Sequence, residues 1–230
     1  MRIAHTGLKL TDGKFKYVDA AFTALVEKFQ PVKVSPYYFE FKADDYENAQ
    51  AIAITAERVL DLLVLDMEKI ESRLSRTEDA AEKAVLSKCL AHLEEQKPVC
   101  DLALTEAERT AVRAFGLFTF KPTAVLADAA SDATAVCQAV LEQARMMCLF
   151  TVGKPEVHAW LVEKHADAVT CAGRIHTDLA RGFIKAEVFR YEDILATHNV
   201  QDARGKGLLK LVDRDFPVPE NSIIEIRFNV

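Results

Sequence analysis

The first forty residues alternate between apolar and polar in short runs. Leu8-Lys9-Leu10 and Phe15-Lys16-Tyr17 read as two strands around an Asp12-Gly13 turn. Asp19 is placed to cap a helix running to about Phe29, with Ala21, Phe22, Leu25, Val26 and Phe29 on one face and Pro31 just beyond its end. Tyr37 to Phe41 reads as a strand. From about Glu47 to Arg76 apolar residues recur at helical spacing (Ile52, Thr55, Val59, Leu62, Leu63, Met67, Ile70, Leu74), which predicts one long amphipathic helix. A second helix is expected from about Asp79 to Glu95, stopping before Pro98, so that the two form an antiparallel hairpin. Thr105 and Glu108 have the spacing of a capping box for a third helix that ends at Gly116.

Pro122 opens a strand over Thr123–Ala127, and Val136 to Met147 reads as helical. Beyond that the character changes. Val157 to Val162 alternates as a strand, Asp178 to Arg181 is a short helix stopped by Gly182, and Phe183 to Phe189 alternates again with Ile184, Ala186 and Val188 on one face. Ile224, Ile226, Phe228 and Val230 share a face of a terminal strand. Strands packed on one or two short helices predict a compact α+β domain at this end.

Composition sharpens this little. The chain has 230 residues, half of them apolar, and a formal net charge of −6. That suits one or two folded domains and gives no basic excess to predict nucleic-acid binding from charge alone. The N-terminus lacks the apolar run of a signal peptide and no run of 18 apolar residues occurs, so a soluble, cytoplasmic protein is expected. The five cysteines, Cys89, Cys100, Cys137, Cys148 and Cys171, form no Cys-x-x-Cys pair. They are expected as small buried hydrophobes, not as disulfides or zinc ligands. Met146-Met147-Cys148 has a soft-metal composition but no nearby His or second Cys, so packing is the better account.

Gly7 and Gly13-Lys14 invite comparison with a phosphate-binding loop, and the comparison fails. Five residues separate the glycines where four are needed, and Phe15 stands where a hydroxyl must ligate Mg²⁺. Asp12 adds negative charge where phosphates would sit. A turn at Asp12-Gly13 explains these residues without a nucleotide.

Longer strings carry a resemblance. Leu65-Asp66-Met67-Glu68-Lys69-Ile70-Glu71-Ser72-Arg73-Leu74, Leu93 to Pro98, Leu104 to Arg109 and Gly116 to Pro122 resemble, in order, the helical arm of the YchF, or Obg-like ATPase, family. Phe150 to Gly153, Glu156 to Trp160, Ala172 to Asp178, Gly182 to Val188 and Arg227 to Val230 are similar to that family's TGS domain. The resemblance implies a fold of class α+β. Residues 1–46 and 117–147 would be a degenerate remnant of an α/β G-domain sheet with about three strands. Residues 47–116 would be an inserted helical arm, and residues 148–230 a TGS-like, ubiquitin-like β-grasp domain. The chain departs from the family where nucleotide is gripped. It reads as beginning after the phosphate loop, has Lys42-Ala43-Asp44-Asp45 in place of the Asp-x-x-Gly switch, and has Asp128-Ala129-Ala130-Ser131 in place of the base-reading Asn-x-x-Glu. Near the end, Lys206-Gly207-Leu208-Leu209 and Val212 to Phe216 replace a more basic family run.

The expectation is therefore no catalytic residue, cofactor or metal, and a nucleotide-independent binding or regulatory adaptor contacting RNA, the ribosome or a protein. The alternative is a protein that still holds a nucleotide or small ligand without hydrolysing it. Self-association through uncovered apolar faces is a further possibility. Arg174, His176, Arg181, Lys185 and Arg190 are the candidate partner-binding residues, to be weighed against an ordinary mixed-charge surface that includes Asp178 and Glu187. His176 with Asp178 has no nucleophile near it in sequence, and helix capping is the better account of that segment. Trp160, the single tryptophan, is expected to pack against the helical arm more readily than to stack on a base. A sulfur-carrier role is not expected, since that role calls for a flexible Gly-Gly tail and Arg227 to Val230 reads as strand.

Overall fold

A computed structural model describes residues 1–130 and 132–229. The chain forms two compact units, one of residues 1–15 and 39–144, the other of residues 16–38 and 145–230. The expected domain limits change accordingly. Residues 16–38, assigned from sequence to the N-terminal remnant, group with the C-terminal unit, whose second segment starts at residue 145 rather than 148.

The first sheet contains β1 (Arg2–Thr6), β2 (Gly13–Tyr17), β4 (Tyr37–Ala43), β5 (Ala51–Thr55) and β6 (Thr123–Leu126) in the order β2-β4-β1-β5-β6. It has five strands, not the three expected. β4, β1, β5 and β6 run parallel, with Ile3 opposite Phe41 on one side and Ala51 on the other. The expected hairpin at Asp12-Gly13 is absent. Leu8–Leu10 is irregular, and β2 lies beside β4 instead of β1. Asp12 explains why, because it holds the loop across to the β4 end. Its carboxylate accepts the Ala43 N–H at 2.8 Å and the Lys42 ammonium at 2.7 Å.

The long helix expected from Glu47 is also corrected. Its first third is β5, Ala-Ile-Ala-Ile-Thr, buried at every position between two parallel neighbours. Such a strand reads as a continuous apolar run, which periodicity cannot separate from a buried helix. The helix proper is α2 (Val59–Leu74), followed by α3 (Ala80–Glu94) and α4 (Glu106–Ala114) before the chain returns to β6 beside β5. Asp79 caps α3 through the Ala81 and Glu82 N–H groups, and Thr105 with Glu108 makes the expected capping box on α4. Leu62, Leu63 and Ile70 of α2 share a core with Val85, Leu86, Cys89 and Leu93 of α3 and Val112 of α4. Burying each large side chain contributes about 1.5–3 kcal/mol. α5 (Ala133–Gln143) closes this unit; it ends before Met147, because Met146–Val152 is already β7.

The second sheet has the order β10-β9-β11-β7-β8-β3, from β3 (Lys33–Ser35), β7, β8 (Glu156–Glu163), β9 (Phe183–Phe189), β10 (Lys210–Val212) and β11 (Ile223–Phe228). β7 and β8 are antiparallel, β11 is parallel to β7 and antiparallel to β9, and β3 is parallel to β8. α1 (Ala20–Phe29), capped by Asp19 as expected, packs on β7 and β8, with Phe22 tilted against Phe150. α6 (Ala168–Ile175), absent from the sequence reading, contributes Ala168, Cys171 and Ala172 to a core with Leu149, Val162, Ala186 and Ile224. α7 (Thr177–Arg181), α8 (Tyr191–Ala196) and α9 (Val200–Gly205) complete the unit.

Two faces differ from expectation. The β9–β11 register shifts between Arg227 and Phe228, pairing Phe228 with Phe183 directly after Arg227 with Lys185. Phe183 therefore joins Ala186 and Val188 in the core, while Ile184 is 54% exposed. Phe228 is half exposed, and Val230 lies outside the described residues. Among the described residues no helix is long and apolar enough to cross a membrane.

Candidate functional site

The loop after β1 is the first place to look for a ligand, because it sits at the carboxyl edge of the parallel strands. Here β1 leads through residues 7–12 into β2, so strand gives way to strand and no helix N-terminus follows Gly13-Lys14. Phe15 is a β2 residue whose ring tilts against Phe41 at 5.9 Å. The polar groups at this edge bind one another. The Thr6 hydroxyl donates to Asp44 at 2.6 Å and lies 2.5 Å from the Tyr46 hydroxyl, and His5 Nε2 is 3.2 Å from Asp12. Asp12, held by Lys42, the Ala43 N–H and His5, has its pKa pulled down to about 2. Of the Asp128–Ser131 segment, Ala130 accepts the Lys9 N–H at 3.1 Å, and Ser131 lies outside the described residues.

The second unit presents a cleft of about 390 Å³ lined by Pro36, Tyr37, Tyr38, His158, Ala159, Trp160, Leu161 and Arg174. Strand register builds it. β3 pairs with β8 so that Ser35 faces His158, and the chain then carries Pro36–Tyr38 onward beside Ala159–Leu161. Alternation along β8 buries Val157, Ala159 and Leu161 on one face and sets His158 and Trp160 together on the other. Their rings stack with centroids 3.7 Å apart and planes 18° apart. Trp160 donates its indole N–H to the Thr151 hydroxyl at 3.0 Å, which fixes the ring while it half-packs on the core. His158 Nδ1 lies 3.3 Å from Glu156, whose carboxylate also takes the Lys33 ammonium at 2.9 Å and the Ser35 hydroxyl at 2.5 Å. Burial pulls the His158 pKa below its ordinary value, outweighing the Glu156 charge, so the imidazole is neutral at pH 7.

Of the five basic residues singled out in the sequence, only Arg174 lines this cleft. His176 caps α7 by accepting the Asp178 N–H at 3.2 Å, and Arg181 pairs with Asp178 at 3.0 Å. Lys185 pairs with Asp213 at 2.7 Å and Arg190 with Glu192 at 3.6 Å. Among the described residues Arg174 has no carboxylate within 4 Å, and its charge partly offsets the burial that raises the Tyr37 pKa. Sequence reasoning missed Tyr37, Tyr38 and His158 as site residues, since they meet through a parallel pairing of strands more than a hundred positions apart. The α6 helix that carries Arg174 did leave a signal, Asp167 followed by Ala168, Cys171, Ala172 and Ile175 at helical spacing. Trp160, expected to pack against the helical arm, lines the cleft and packs against the core of its own unit.

The chain is thus a mixed α/β protein with two sheets and an aromatic cleft on the second. Residues 146–229 match the family model described as "YchF-GTPase_C: Protein of unknown function (DUF933)". The ribosome-binding ATPase YchF of Bacillus subtilis is 27% identical over 237 residues, covering 74% of this chain and 65% of that protein. The Haemophilus influenzae protein of the same name is 41% identical over 81 residues, 35% of this chain and 22% of that protein. The structure of the Schizosaccharomyces pombe YchF GTPase superposes with a TM-score of 0.78 at 15% identity, covering 99% of this chain and 97% of that one, a likeness of fold. The chain is therefore similar to the YchF family, with the family model matching residues 146–229, and it spans about two thirds of the length of the Bacillus subtilis relative.

Proposed function

We propose that this protein is a nucleotide-independent adaptor that binds the ribosome. The observation that carries the reading is the path of the chain after β1. A phosphate cradle needs a loop opening a helix, whose N–H groups and dipole receive the anion. Residues 7–14 instead join two strands, with Asp12 fixed among Lys42, His5 and the Ala43 N–H. The switch position, Lys42 to Asp45, is likewise engaged, with Asp44 held by Thr6. The ribosome enters through the relatives, since those of Bacillus subtilis and Escherichia coli O157:H7 are named ribosome-binding ATPases. Ribosome binding places the protein in the cytoplasm.

On this reading α2, α3 and α4, between the adjacent strands β5 and β6, are the family's helical arm, and the first sheet is what remains of its nucleotide-binding domain. The β8-β7-β11-β9-β10 order, with α6 crossing between β8 and β9, supports reading the second sheet as a TGS-like, ubiquitin-like β-grasp. The partner-facing surface is the one bearing Arg174, His176, Arg181, Lys185 and Arg190. Arg181, Lys185 and Arg190 are paired with carboxylates and His176 caps α7, which among the described residues leaves Arg174 as the basic group of this set without a carboxylate partner.

Two measurements test the proposal. Calorimetry with ATP, GTP and their diphosphates should give no heat at millimolar ligand, and the protein should pellet with ribosomes to the same extent with and without ATP. ATP binding at micromolar affinity would favour the residual-nucleotide reading and end this one. Failure to pellet with ribosomes under both conditions would remove the partner.

A further inference from the structure

We propose that the cleft of Tyr38, His158, Trp160 and Arg174 binds an unpaired base of single-stranded RNA, extending the His158–Trp160 stack, with Arg174 on the neighbouring phosphate. The proposal rests on the ribosome-directed reading and adds the chemical class and the place of contact.

Four observations converge on it. The rings are already stacked, at 3.7 Å and 18°, so a flat π-face adds to an ordered pile and not to loose side chains. Bases of any sequence stack on aromatic residues this way, and single strands are the form of RNA that offers them. The cleft, at about 390 Å³, falls in the range of roughly 300–1,000 Å³ typical of small-ligand sites. Its polar groups are spoken for. The Trp160 N–H is bonded to Thr151, and the Glu156 carboxylate beside His158 is paired with the Lys33 ammonium and accepts the Ser35 hydroxyl. Among the described residues that line the cleft there is therefore no bare carboxylate to repel an incoming phosphate. The charge left over is positive, Arg174, whose basic neighbours in sequence all have carboxylate partners.

A proline-rich peptide also suits an aromatic groove, but it supplies no anion for Arg174. A neutral His158 favours stacking over cation pairing, which directs the charge recognition to the arginine.

Trp160 is the only tryptophan of the chain, so its fluorescence reports on this cleft alone. The full-length protein is titrated with oligo(U) and oligo(A) octamers in about 50 mM salt, where phosphate contacts count most. Expected is saturable quenching, with affinity weakened about tenfold by Arg174→Glu and by Tyr38→Ala, two exposed positions whose replacement spares the core. Trp160→Phe, followed by fluorescence anisotropy of a labelled octamer and checked for folding by circular dichroism, should weaken binding similarly. Absence of quenching by either octamer at millimolar concentration overturns the proposal. So does binding unchanged in Arg174→Glu, or quenching by a proline-rich peptide but not by RNA. If wild-type protein pellets with ribosomes while no octamer quenches Trp160, this site fails and the adaptor reading stands. If octamers quench but ribosomes are not bound, the adaptor reading fails and the site stands.

Discussion

Asp66, in the middle of α2, accepts the Thr119 hydroxyl at 2.7 Å and, at the same length, the backbone N–H groups of Thr119 and Phe118. The carboxylate has no solvent exposure, and Thr119 passes the network on by accepting the Val99 N–H at 3.2 Å. The helical hairpin is thereby tied to the 3₁₀ turn at Phe118–Phe120, which leads into β6. Lys69, one turn along α2, covers the same turn with its ammonium 3.2 Å from the Phe118 ring centroid.

Removing that acceptor strands two buried N–H donors and a hydroxyl. Asp66→Ala should cost about 3 kcal/mol in urea unfolding, at roughly 1–3 kcal/mol per buried group left unsatisfied. The pH dependence has a definite sign. Burial raises the Asp66 pKa above its ordinary value, against the pull of the Thr119 and Phe118 donors. The folded state therefore holds the proton more tightly than the unfolded chain. Its contribution is largest below about pH 4 and falls as pH rises through the folded value. Asp66→Asn should flatten that component, and a difference curve between the two proteins that is level from pH 3 to 7 would refute the assignment.

Glu187 behaves in the opposite way. It is a buried β9 carboxylate held by Arg204 at 2.7 Å and by Arg227, while Arg204 also reaches Glu225 at 2.5 Å. Burial pushes its pKa up, but the two guanidiniums together pull it further down, and the net value lies below the ordinary carboxylate range. Stability from this group is complete above about pH 4.3 and is lost as pH falls through the folded pKa. Glu187→Gln should cost roughly 2–3 kcal/mol, below the usual 3–5 kcal/mol for a broken buried pair because both arginines reach solvent. Thermal melts of the variant from pH 3 to 7 should lack the acid-side loss seen in the parent protein.

Much of this architecture is written locally in the chain. Asp19, Asp79 and the Thr105/Glu108 box mark three helix starts by side-chain chemistry alone, and each helix begins where the cap places it. What escaped the sequence depends on distant partners. β5 looked helical because five buried residues between two parallel strands have no period of their own, and Asp12-Gly13 looked like a hairpin because the Ala43 N–H that binds Asp12 lies thirty-one positions away. Arg174 was legible as a basic residue. Its cleft was not, because Tyr37 and Tyr38 meet His158 and Trp160 only after β3 joins the second sheet.

Gly7 and Gly116 offer a controlled comparison. Both have left-handed backbone, with φ of +75° and +64°. A Cβ at Gly116 would meet open space, whereas one at Gly7 would stand 2.4 Å from the Thr55 hydroxyl at the edge of the parallel sheet. Gly116→Ala should cost only the backbone term, about 1 kcal/mol. Gly7→Ala adds a collision with a buried β5 residue and should cost at least twice as much in the same unfolding assay. Equal effects at the two positions would mean that Thr55 moves aside freely.

The cysteines give the last prediction. Cys89, Cys137, Cys148 and Cys171 are buried and only Cys100 is half-buried. Burial in apolar surroundings raises each thiol pKa, to about 11 for Cys89 and about 12 for Cys137, Cys148 and Cys171. Because the thiolate is the reactive form, both access and ionisation oppose attack at these four positions. Cys100 is raised as well, chiefly by burial, though Gln143 donates to its sulfur at 3.3 Å and partly offsets this. In native protein at pH 8 a thiol-reactive disulfide reagent should therefore modify at most one cysteine within minutes, and peptide mapping should locate it at Cys100. In 6 M guanidinium all five should react at once. Rapid native labelling of Cys148 or Cys171 would show that the second sheet opens far more readily than its buried core implies.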